Sequence, residues 1–194
     1  MQHNFFRSDS HHRLALRCIA GAALAWVCAS PASAQSLLPA GYFVQGGGYS
    51  NHVWSVTGGI TWPWAWRSTA LGTEVSGQTE AFVSHWDAKR LNGGRRGITQ
   101  VGLVPMFRFR PDQGRSPWFV EGGIGVSSMD NRFMTPEKSF LTRFNFVDVV
   151  GVAHSFGPAR DQEIGLRVQH VSNAGIRRPN PGQNMLLLRY GASF

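Results

Sequence analysis

The stretch Gln183-Asn184-Met185-Leu186-Leu187-Leu188-Arg189-Tyr190-Gly191-Ala192-Ser193-Phe194 separates into two rows when it is read at every second residue. Leu186, Leu188, Tyr190, Ala192 and Phe194 fall on one row, whereas Arg189, Gly191 and Ser193 fall on the other. A period of two places the rows on opposite faces of a β-strand. Seven further segments of this kind precede it, bounded by turn residues, at 41–49, 52–62, 73–87, 97–110, 116–128, 142–156 and 162–172. Several exceed the five or six residues usual for globular strands and supply the roughly nine to eleven that a tilted strand needs to cross a bilayer. Alternation alone is equally compatible with a soluble sandwich, so other signals must decide between the two.

Three signals favour the membrane. Trp62, Trp64, Trp66, Trp86 and Trp118 gather near predicted strand ends, where an interfacial girdle needs aromatics, although each taken singly fits a core equally well. The terminal Phe194 resembles the C-terminal signature by which the outer-membrane insertion machinery recognises barrel substrates. The first residues read as an export signal: Arg7, Arg13 and Arg17, then the apolar run 20–30, then Ala32-Ser33-Ala34. The expected organisation is therefore a cleaved signal peptide over 1–34 and one β-barrel domain over 35–194.

Removing that segment takes both cysteines, Cys18 and Cys28, so the expected mature chain enters an oxidising compartment with no disulfide available. Three arginines and Asp9 leave as well, and the 19 basic and 11 acidic residues become 16 and 10, a net charge of +6. Only Lys89 and Lys138 remain as lysines, so arginine carries the basic balance. For an exported chain such a balance points to membrane phosphates rather than to nucleic acid. A sheet crossing hydrocarbon must close, because each unpaired backbone group there costs several kcal/mol. Eight antiparallel strands form a small closed barrel filled by its own side chains. With both termini in the periplasm, the end of the seventh strand and the start of the eighth lie at the outer surface.

That junction reads Ile164-Gly165-Leu166-Arg167-Val168-Gln169-His170-Val171-Ser172-Asn173-Ala174-Gly175. Ile164, Leu166 and Val168 form the lipid-facing row, and His170 and Ser172 continue it. Positions i and i+2 of a strand lie about 6.5–7 Å apart at Cα on one face, a gap an imidazole and a hydroxyl can bridge. Histidine beside serine is the pairing that turns a poor nucleophile into a useful one. Two interfacial side chains touching headgroups fit the same pattern. The scattered His52, His85, His154 and His170 show no metal-ligand spacing.

The run His170-Val171-Ser172-Asn173-Ala174-Gly175, followed by Pro179-Asn180-Pro181-Gly182, resembles the lipid A 3-O-deacylase family, PagL. Val104-Pro105-Met106-Phe107, Phe119-Val120-Glu121-Gly122-Gly123-Ile124-Gly125-Val126 and Phe144-Asn145-Phe146 extend the resemblance upstream. It implies an eight-stranded outer-membrane barrel that hydrolyses the ester-linked 3-hydroxyacyl chain at position 3 of lipid A, with lipopolysaccharide as substrate and no cofactor. By position it makes Ser172 the nucleophile and His170 the general base. It makes the Asn180 side chain and the Gly175 N–H donors to the oxyanion, with Asn173 a turn residue supporting them. Where the best-known pattern of the family has a glutamate orienting the histidine, this chain has Asn184. An amide oxygen can fix the tautomer but carries no charge. The expectation is a slower enzyme or a carboxylate recruited from elsewhere, with Asp87, Asp148 and Glu121 as carboxylates whose facing the sequence does not settle.

Arg177 and Arg178 in the outer turn, with Arg95 and Arg96 in the preceding outer loop, are candidates to dock lipid A phosphates or are simply solvated loop charge. Two other classes fit the sequence: a non-catalytic structural or adhesive barrel, and a different lipid-modifying barrel such as a phospholipase. A homodimer is compatible with all of them.

Overall fold

The computed structural model describes residues 38–49, 52–90, 92–140 and 142–194; the export segment expected over 1–34 lies outside them. Eight strands run β1 Gly41–Tyr49, β2 Val53–Ala70, β3 Thr73–Lys89, β4 Arg95–Arg110, β5 Trp118–Met129, β6 Phe144–Phe156, β7 Gln162–Ser172 and β8 Gln183–Ser193. Each pairs antiparallel with its neighbours, and β1 pairs with β8, so the sheet closes into a barrel. Closure removes the edges that a spanning sheet cannot leave open.

The expected strands all form, and the main departure is β2. The alternation stops at Trp62, yet the strand runs on to Ala70. The register shifts between Pro63 and Arg67, after which Arg67–Ala70 pair with Ser76–Thr73. Proline has no N–H for the ladder and is tolerated at such an irregularity. Leu71 and Gly72 close the hairpin with φ of 49° and 75°. Two successive positive φ values suit a tight hairpin turn whose twist matches its strands.

The barrel is filled from end to end. Toward the end with the short turns, Arg167 bonds Glu80 at 2.7 and 2.8 Å and Glu121 at 2.6 Å. Arg108 grips Glu163 at 2.7 and 2.8 Å, and Arg189 reaches both Glu80 and Glu163. These lumenal charges are buried among protein side chains, where a charge left without a partner would be costly, and they pair with one another. Toward the end with the longer loops the filling turns apolar. There the 130–143 connection drops Phe133 and Phe140 into the mouth, both fully buried, with Phe133 edge-on to Trp86.

Trp86 is thus a lumenal core residue, a correction to its place in the girdle. Residues at even positions of β3 face inward, and position 86 follows Glu80, Phe82 and Ser84. The other tryptophans expected in the girdle, Trp62, Trp64, Trp66 and Trp118, lie toward the short-turn end. Trp118 is exposed, and Trp64 lies over Gly77 and bonds Thr79 at 3.0 Å.

Candidate functional site

Register assembles the site on the outer face of β6, β7 and β8. Residues directly opposite in neighbouring antiparallel strands share a face. Val152, Leu166 and Leu188 therefore form one transverse row, and Val150, Val168 and Leu186 form the next. All six are exposed apolar side chains on the outer surface. The following row, one step toward the loop end, is Asp148, His170 and Asn184. Phe146 and Ser172 follow as the last pair. A polar row thus sits where the apolar wall meets the loops, and His170 and Ser172 are outward, at that rim.

His170 is held from one side and from above. Its Nδ1 lies 2.6 Å from Oδ1 of Asn184 across the β7–β8 ladder. Because that oxygen can only accept, Nδ1 carries the proton and Nε2 keeps its lone pair. Gly182, with φ of 63°, brings the incoming chain against the ring: a β-carbon there would stand 2.4 Å from His170 Cε1 and 3.0 Å from Nε2. The Lys138 ammonium, from the 130–143 connection, donates to the Gly182 carbonyl at 3.0 Å and clamps this approach. Ser172 is nearly buried, and its Oγ makes no hydrogen bond among the described residues.

Asn173 organises the 173–182 loop. It is fully buried; its Nδ2 donates to the Arg177 carbonyl at 2.9 Å and its Oδ1 accepts the Gly175 N–H at 3.0 Å. Its own N–H donates to Asn180 Oδ1 at 3.0 Å. That bond engages the Asn180 oxygen and leaves its amide nitrogen as the donor. The Gly175 N–H is turned into the loop, toward Asn173.

The remaining expected residues divide. Arg177 and Arg178 are exposed on the same loop. Arg95 and Arg96 are on β4, across the barrel from β7 and β8. Arg95 pairs with Asp87 and the His52 carbonyl, and Arg96 with Asn131. They are committed to the far rim. Of the three carboxylates left open, Asp87 is on that rim, Glu121 is buried in the lumen with Arg167, and Asp148 alone faces outward beside His170. The Lys138 and Gly182 contacts were not foreseeable, since they join segments separated by 44 residues through a loop with no strand pattern.

A family profile described as "Lipid A 3-O-deacylase (PagL)" matches residues 53–193. The chain is similar to "Lipid A deacylase PagL" of Bordetella bronchiseptica, 31% identical over 151 residues, which are 76% of this chain and 80% of that protein. It is similar also to the protein of that name from Pseudomonas aeruginosa, 28% identical over 134 residues, 68% of this chain and 73% of that one. Among solved structures it resembles "Crystal structure of the outer membrane enzyme PagL" with a TM-score of 0.68 and 22% identity, covering 80% of this chain and 100% of that one.

Proposed function

Because the chain belongs to the lipid A 3-O-deacylase (PagL) family of the outer membrane, we propose that it hydrolyses the ester-linked 3-hydroxyacyl chain at position 3 of lipid A through Ser172 and His170. The observation that supports this reading most is the transverse row pattern. Two apolar rows receive acyl chains, and the rim above them carries an imidazole with a fixed tautomer one step from a serine.

In this reading a rotation of the Ser172 side chain brings Oγ to Nε2 of His170. Nε2 takes the proton as Oγ attacks the ester carbonyl. The same nitrogen returns the proton to the leaving sugar oxygen, and a water then repeats the sequence to free the acid and regenerate Ser172. The Asn180 amide N–H group donates to the oxyanion. The Gly175 N–H joins it when substrate displaces Asn173 Oδ1. Arg177 and Arg178 stand over the headgroup and meet its phosphates. Every step uses the chain's own side chains, a backbone N–H and water, so no cofactor is called for.

Mass spectrometry of lipid A from cells producing the chain tests the proposal. Loss of one 3-hydroxyacyl group, abolished by Ser172→Ala, is the expected result. Unchanged lipid A would favour a non-catalytic barrel, loss of phospholipid chains would favour a phospholipase, and activity surviving Ser172→Ala would remove that serine from the mechanism.

A further inference from the structure

Resting on the Ser172–His170 reading, we infer that Asp148 is the positioning carboxylate of this site, supplying from β6 the negative charge that Asn184 on β8 cannot supply. Three observations carry the inference. First, Asp148 is directly opposite His170 in the β6–β7 ladder, and opposite residues on one face have β-carbons about 4.5–5.5 Å apart. Second, the carboxylate has no hydrogen bond or ion pair among the described residues, although it stands on a face otherwise given to Val150, Val152 and other apolar side chains. An uncompensated charge on a lipid-facing row is expensive and calls for a purpose. Third, the groups facing the imidazole are otherwise neutral or cationic. Asn184 holds Nδ1 with an amide, Gly182 covers the ring, and the Lys138 ammonium bonds the Gly182 carbonyl.

When Nε2 takes the serine proton, the ring becomes an imidazolium with a lysine nearby and no counter-charge on the β8 side. Asp148 sits on the β6 flank of the ring, opposite Asn184, at a protein surface where a charge a few ångströms away acts more strongly than in bulk solvent. The arrangement splits between two strands what a single orienting carboxylate does elsewhere. Asn184 fixes the tautomer and Asp148 stabilises the charge.

The test is a double-mutant cycle on the purified, folded barrel with lipid A in detergent, measuring kcat, KM and the pH profile. Asp148→Asn keeps the shape and removes the charge. It is expected to lower kcat about tenfold or more with KM changed less than about twofold, and to move the acid limb of the profile to lower pH. In an Asn184→Glu background, where the charge returns on β8, the same substitution should cost less than about threefold. Unchanged kcat in Asp148→Asn, an equal loss in both backgrounds, or a rise confined to KM would each overturn the inference. Heat-modified electrophoretic mobility reports whether each variant is folded. If Ser172→Ala retained activity the esterase reading itself would fail, whereas full loss in Ser172→Ala with no effect of Asp148→Asn would overturn the Asp148 assignment alone.

Discussion

Gly182 stands against the His170 imidazole so closely that the first carbon of any side chain would be 2.4 Å from Cε1. The glycine also adopts a φ of 63°, which L side chains rarely take. Chain approach and backbone conformation thus exclude a side chain at this position for separate reasons. Gly182→Ala is expected to displace the ring and lower deacylation by about tenfold to a hundredfold, in line with the effect of an ångström-scale misplacement. Because position 182 is outside the strands, the thermal transition of the barrel should be nearly unchanged. Full activity in this variant would show that the ring tolerates the shift.

Asn184 and His170 form the direct contact of the site, at 2.6 Å. Asn184→Ala removes the acceptor that fixes the tautomer and should lower kcat about tenfold or more. Asn184→Glu keeps an acceptor and adds charge, so activity should be intact or higher. A strong decrease in the glutamate variant would mean that Asn184 does something other than orient the ring.

The loop places its two asparagines in different tasks. Asn180 presents an amide nitrogen to the reacting group, so Asn180→Ala should lower kcat by about 10²–10³, the usual effect of losing one oxyanion donor. The Asn173 side chain makes two hydrogen bonds inside the loop, donating to the Arg177 carbonyl and accepting from the Gly175 N–H. Asn173→Ala should therefore disorder residues 174–181, which limited proteolysis would detect as new cleavage there, absent in Asn180→Ala.

Arg167 lies at the centre of the lumenal ion network, nearly inaccessible, between Glu80 and Glu121. Arg167→Met leaves two buried carboxylates without their main partner and is expected to destabilise the barrel by about 3–5 kcal/mol. The midpoint of thermal or urea unfolding should fall accordingly. An unchanged midpoint would show that Arg108 and Arg189 compensate between them.

The strands were legible because alternation is a local property. β7, from Gln162 to Ser172, shows Ile164, Leu166 and Val168 outward against Arg167 and Gln169 inward, which is the order of the residues in the chain. The same reasoning put His170 and Ser172 on the outer face, where the structure has them. Trp86 was placed in the girdle by residue type, against the parity of β3 that turns it inward, and the aromatic cover that buries it comes from Phe133, 47 positions along the chain in a connection with no period. The extension of β2 past Trp62 was hidden for a related reason, since the bulge at Pro63–Arg67 breaks the alternation on which strand reading depends.

Residue order by itself thus determined the number of strands, their facing and the H-x-S pair at a strand end, because side chains of a β-strand alternate wherever the strand lies. Tertiary structure alone decided which carboxylate stands beside His170. Asp148 and Asn184 flank it only through the registers of two ladders, and a register joins residues 22 and 14 positions away through strand pairing that no local pattern records. A shift of one residue would turn Asp148 or Asn184 into the barrel and set His170 opposite Val147 or Val149 in one ladder, or Gln183 or Met185 in the other.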